Sequence, residues 1–231
     1  MFVVAICALG AAGEDESRAL AARVGGLPYE MRLKLAQPTP ILLSRTSDGA
    51  AAESLASDLR ARGHDAIALD EDTVPEPLIV RDFRLDDLAR GDVLALVRAA
   101  LTLETETVDR VTERKLRPGA ALVTGGLVMT KKVTREERHT TRDREDLLYI
   151  FPSARERPLL LGERSAVYAS LPGVARTQRE NFMRVAAELR ARAPGAWDER
   201  LLAHRHIQDR RELDLRAQLI ALAAGRARAR I

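Results

Sequence analysis

The chain has 231 residues, enough for one large hydrophobic core or two modest ones, and its 31% charged and 46% hydrophobic residues are those of a globular protein rather than a disordered one. Aromatic residues at 3% leave little for a base-stacking platform, and a single cysteine excludes an internal disulfide. The formal charge of +3 is unevenly spread: residues 1–75 carry seven Lys/Arg against eleven Asp/Glu and residues 76–231 thirty against twenty-three, so the two parts face different partners.

The first element is "FVVAICAL", in which Val3, Val4, Ile6 and Leu9 read as a buried strand. No Lys or Arg precedes this apolar run, as a secretory signal would require, and Ile6 stands where a lipoprotein site would place a small residue before Cys7. No later stretch has the uninterrupted apolar length of a membrane span, and the reading is a cytoplasmic chain. Next comes "EDESRALAARVGG", with Leu20, Ala21 and Val24 at helical spacing and Gly25–Gly26 as the stop. A second helix starts at Pro28 and ends at Pro38, with Met31, Leu33 and Leu35 between. "ILLSRT" is a buried strand, and Asp48 caps a helix with Ala52, Leu55, Ala56 and Leu59 along one stripe, closed by Gly63. "HDAIALD" is the third strand.

This order of strand, helix, helix, strand, helix, strand resembles the C-terminal domain of the bacterial ribosomal stalk protein over roughly residues 2–70. The Gly-Leu lead-in to the second helix and "ARGHDAIAL" before the last strand carry the likeness. The resemblance implies a small α/β sandwich. In that family a lysine-rich helical face binds translation factors, whereas here the first helix opens with Glu14, Asp15 and Glu16, and Lys34 is the module's one lysine.

"DEDTVPEP", Asp70 to Pro77, is acidic and twice interrupted by proline, a natural linker. "LIVRDFRL" alternates as a strand. "VLALVRAALTLETETVDRVTERKL" reads as helix or strand in its first half and as strand from Leu101 to Thr107. "LLYIFP" and "SAVYASLPG" (Ser165 to Gly173) are further strands. "GAALVTGGLVMTKKVT", residues 119–134, is the one glycine-rich stretch. No glycine directly precedes Lys131 or Lys132 as a P-loop needs, and the G-x-G-x-x-G spacing is missing, so Gly125–Gly126 is expected to bend a strand. "TKKVTREERHTTRDRED" is dense in both charges. It reads as a solvated hairpin with opposite signs paired across strands, the alternative being an anion-binding ridge that includes Lys131 and Lys132.

In "TQRENFMRVAAELRARAPG", Thr177 and Glu180 form a capping box and Phe182, Val185, Ala186 and Leu189 an apolar stripe, with Pro194–Gly195 as the stop. Several strands closed by one amphipathic helix resemble the pleckstrin-homology-like and GRAM-like barrels over roughly residues 78–193. That topology implies binding of peptides, lipid headgroups or partner proteins rather than catalysis. The chain then continues with a helix whose seam is Leu215, Leu219 and Leu222, and from Arg200 onward it carries eight arginines against three acids. Such a helix either docks on the body, on a second copy to form a homo-oligomer, or reaches for nucleic acid.

Neither a catalytic constellation nor a metal motif emerges. His204 and His206 stand two apart, not four, Cys7 sits in an apolar strand, and neither G-x-S-x-G nor H-E-x-x-H occurs. The expected protein is α+β: residues 1–72 a small α/β module of order βααβαβ, 78–195 a strand-rich pleckstrin-homology-like domain with a closing helix, and 196–231 an arginine-rich helical extension. The expected function is non-enzymatic, an adaptor for an unknown protein partner, without cofactor or metal. The alternative is nucleic-acid or anionic-surface binding through Arg205, Arg210, Arg211, Arg216, Arg226, Arg228 and Arg230, with Lys131 and Lys132. An anion-binding arm predicts binding to RNA, duplex DNA or anionic vesicles that weakens steeply with salt, measured by titration at two ionic strengths.

Overall fold

Strand β1 (Phe2–Ala8) has no exposed face: Val3, Val4, Ala5, Ile6 and Cys7 are each at most 1% exposed. Side chains alternate along a strand, so a run of five buried residues requires a packed layer on either side. A computed structural model of the chain shows both layers; it describes residues 1–10, 13–81, 93–116, 130–153, 157–168, 171, 173–204 and 207–229.

The first layer is local in sequence. Helices α1 (Glu14–Val24), α2 (Pro28–Leu35) and α3 (Gly49–Ala61) cover the face carrying Val4 and Ile6, with Leu20, Met31, Ala56 and Leu59 in one cluster. Strands β2 (Ile41–Thr46) and β3 (Asp65–Asp70) flank β1 on opposite edges, both antiparallel, with Phe2 opposite Thr46 and Asp70. The predicted caps form. Asp48 accepts from the Ala50 and Ala51 N–H groups at 2.9 and 3.1 Å, and α1 ends in Gly25 at φ 84°. A second glycine matters for space: a Cβ on Gly10 would lie 2.6 Å from the Gly63 carbonyl oxygen, so the two loops meet through backbone alone.

The second layer comes from the far end of the sequence. Helix α5 (Arg210–Arg228; α4 follows below) lays Leu215, Leu219 and Ala223 against Val3, Ala5, Cys7 and Ile67. The predicted leucine seam is therefore covered by the chain's own sheet.

The other sheet contains β4 (Leu78–Ile79), β5 (Val93–Leu116), β6 (Thr130–Pro152), β7 (Leu159–Gly162) and β8 (Trp197–Asp198), in the order β4-β7-β6-β5-β8. β7 runs antiparallel to β6, with Leu147 opposite Gly162, whereas the β4/β7 and β5/β8 pairs are parallel. Helix α4 (Gln178–Arg192) closes this core: Phe182, Val185 and Leu189 join Leu96, Leu148, Ile150, Leu159, Leu161 and Tyr168. Of the capping box, the threonine's bond is present, Thr177 Oγ1 accepting from the Glu180 N–H at 3.2 Å. The class is α+β.

Two expectations change. The ambiguous stretch from Val93 is strand throughout. The described part of Ser165–Gly173 is not a strand but a turn and one bridged residue, Val167, whose N–H donates to the Arg81 carbonyl. The strand in this region is β7, four residues buried on both faces and too short for alternation to reveal. Residues 119–129 of the glycine stretch lie outside the described residues.

Residues 1–101 and 145–231 form one unit, and residues 102–144, the outer parts of β5 and β6, form another. In the latter, Arg142 pairs with Glu104 at 2.6 Å and Arg110 with Glu136 at 3.2 Å. These are the cross-strand pairs that the mixed charges of the sequence imply.

The docking of α5 carries a stability prediction. Leu219 is fully buried, and Leu219→Ala is expected to lower stability by about 2–5 kcal/mol in urea denaturation. A chain cut after Gly195 exposes Val3, Ala5, Cys7 and Ile67 together and is expected to lose cooperative unfolding altogether.

Candidate functional site

The cations singled out in the sequence divide into two groups. Arg216, only 7% exposed, is held by Glu212 through Nε and Nη2 at 2.9 and 2.7 Å, and its Nη1 donates to the Pro40 carbonyl at 2.5 Å. Arg226 donates to the Ala66 carbonyl at 3.0 Å and Arg228 to that of Val93 at 2.9 Å. Arg210 donates to Asp214 at 2.9 Å and lies over the Tyr149 ring, whose buried hydroxyl donates to the same carboxylate at 2.6 Å. These contacts reach acceptors on different elements and fasten α5 to the body of the chain. Burying a guanidinium costs solvation, and the paired carboxylates and carbonyls offset it. Arg211 is exposed. Arg205 and Arg230 lie outside the described residues, and Lys131 and Lys132 belong to β6 with side chains that are not described.

The buried titratable groups are likewise engaged. Burial pushes the Cys7 thiol up to about 12, and its Sγ donates to the Leu219 carbonyl, which packs it against α5. His64, read from sequence only as the start of a strand, is buried. Its Nδ1 accepts from the Gly10 N–H at 3.0 Å, which leaves the ring proton on Nε2, 3.0 Å from Glu16 Oε1. Arg62 holds the other Glu16 oxygen at 2.5 Å. Arg98 bridges Asp146 at 2.8 Å and Glu199 at 3.3 Å. His204 is kept below the ordinary histidine range by burial and then by the Arg216 charge. Among the described residues no three His, Cys, Asp or Glu side chains come together to hold a metal.

Among the described residues a groove opens along α4. Its cavity of about 280 Å³ is lined by Leu171, Gly173, Asn181, Arg184, Val185, Glu188 and Arg192. Val185, 1% exposed, makes the floor with Leu171. Asn181 is engaged by the wall: its Oδ1 accepts from the Ala175 N–H at 2.7 Å and its Nδ2 donates to the Ala175 carbonyl at 3.1 Å. Arg184, Glu188 and Arg192 follow one another at i, i+4, i+8 along the rim. Arg192 pairs with Glu188 at 3.0 Å, and Arg184 donates to the Gly173 carbonyl. In the sequence these three look like the ordinary solvated face opposite the Phe182–Leu189 stripe. Leu171 and Gly173 turn that face into a groove, and the helix periodicity does not announce them.

A scan against protein-family models, a search of curated proteins and a search of solved structures each return no match.

The half-buried Glu16 generates a pH prediction. Its carboxyl is held below the usual range, first by hydrogen bonds from Arg62 and then by His64, against an opposing burial effect. A depressed folded value adds stability above the unfolded pKa of about 4.3, and this is lost as pH falls through the folded value. Glu16→Gln is expected to lower stability at pH 7 and to flatten the fall below about pH 4.3, measured by urea melts across pH.

Proposed function

We propose that the chain is a non-enzymatic adaptor of the cytoplasm that binds a segment of a protein partner in the α4 groove. The observation that carries this reading is the groove itself: an apolar floor, a polar floor residue already engaged, and a rim of exposed charge. An enzyme needs titratable groups aimed at an open site. Here the buried ones described above, Cys7, His64, Glu16, Arg98 and Asp146, are turned inward to partners in the fold. The cavity, near 280 Å³, is small for a cofactor and suited to two or three side chains. The βααβαβ order of residues 2–70, the helix-closed sheet and the lone buried cysteine support the same reading, since both resembled folds serve as interaction modules. Among the described residues no helix is long and apolar enough to cross a membrane.

The test is a selection of phage-displayed random linear dodecapeptides on the full chain, followed by hydrogen exchange with a synthesised hit. Slowed exchange over residues 171–192 is the expected result. No enrichment, or slowing confined elsewhere, would overturn the reading. Salt-sensitive binding of duplex DNA or anionic vesicles that weakens in Arg211→Glu would favour the alternative of an anion-binding helix.

A further inference from the structure

We infer that the segment accepted by the α4 groove is acidic: an extended stretch placing one apolar side chain between Leu171 and Val185 and carboxylates on Arg184 and Arg192. The inference rests on the proposed adaptor reading and adds the chemistry of the partner.

The floor contributes little hydrogen-bond preference, because Asn181 spends its amide oxygen and one of its two amide N–H groups on Ala175. Discrimination therefore falls to apolar contact below and to the charged rim above. On that rim Arg184 meets a main-chain carbonyl and not a carboxylate among its described contacts, so its positive charge is uncompensated at short range. Arg192 has Glu188, but this is an exposed i, i+4 pair, which opens at small cost when a better placed carboxylate arrives. A guanidinium also presents its donors as a planar fork that matches a carboxylate. The wider field has the same sign, residues 176–192 carrying five arginines against two acids.

Geometry narrows the partner further. From Asn181 to Arg192 the helix runs about 16 Å, the span of roughly five extended residues. Among the described residues no aromatic side chain lines the cavity, so they offer no stacking surface of the kind single-stranded nucleic acid uses. The recess is concave, whereas a membrane surface is met by a protruding patch. An acidic linear peptide fits both constraints.

The experiment reads the composition of the hits. Dodecapeptides enriched on the full chain are expected to carry Asp or Glu on both sides of one apolar residue. Affinity of a synthesised hit, measured by fluorescence anisotropy, is expected to fall roughly tenfold in Arg184→Glu/Arg192→Glu, two exposed charge contacts summing to that factor. Arg184→Lys/Arg192→Lys is expected to retain most of it. Thermal melts of the lysine variant should match the parent, whereas the charge-reversed variant is expected to melt slightly lower, since it loses the Arg192–Glu188 pair and sets like charges beside Glu180 and Glu188 along α4. Hits that slow exchange over 171–192 yet are neutral or basic would overturn the acidic inference and leave the adaptor reading standing. Absence of any groove-directed hit would overturn both. Binding of single-stranded RNA or anionic vesicles that competes with the hits and is lost in the charge-reversed variant would replace the acidic peptide by a polyanion.

Discussion

The burial of β1 on both faces is the constraint on which the rest of the main unit depends. Five consecutive buried residues cannot be satisfied by helices on one side, and the local sequence supplies helices only for the side of Val4 and Ile6. The other side, with Val3, Ala5 and Cys7, has to be covered by something distant, and α5 does this with Leu215, Leu219 and Ala223. Once α5 is seated there, Asp214 reaches Tyr149 on β6 and Arg228 reaches the start of β5, which ties the helix to the second sheet as well. Apolar burial on this scale outweighs any single polar contact around it.

The arginines of α5 take their meaning from that seat. In sequence they read as a basic tail in search of an anion. In the fold, Arg216 donates to the carbonyl of Pro40, just before β2, and Arg226 to that of Ala66 in β3, which also accepts from Arg60. A guanidinium suits this task because its donors reach several acceptors from one planar group, and Glu212 and Asp214 on the same helix neutralise the charge that docking removes from water. Positive charge and apolar seam are thus two parts of one docking surface. The groove on α4 differs: there, Arg184 spends its contact on a loop carbonyl at the surface.

The local elements were legible because short-range rules decide them. Asp48 and Thr177 cap the helices they precede, Gly25 ends α1, and the Phe182–Leu189 stripe is buried as its spacing implies. β7 and the turn at Ser165 were not, since a four-residue strand buried on both faces has no alternation to read. The docking of α5 was half visible. The unbroken apolar run of β1 already called for a second layer, but nothing in a one-dimensional pattern says which distant seam supplies it. The candidate site was the least legible part. Its rim residues follow the periodicity of any solvated helix face, and the groove depends on Leu171 and Gly173, whose approach to α4 is a tertiary fact. His64 was similarly hidden, because a histidine at a strand start shows nothing of Glu16 and the Gly10 N–H closing around it.

The seat of α5 also sets a timetable. Cys7 and the Leu219 carbonyl it contacts are separated by 212 positions, so a ribosome working at about 5–20 residues per second makes the two roughly 10–40 s apart. During that interval the N-terminal sheet can gather α1, α2 and α3 but must present Val3, Ala5, Cys7 and Ile67 uncovered. The nascent chain therefore passes through a half-dressed stage, with a sticky apolar plane facing outward and its own lid not yet made. Synthesis order turns a stable packing arrangement in the finished protein into the moment of greatest exposure to aggregation or to a chaperone's grip.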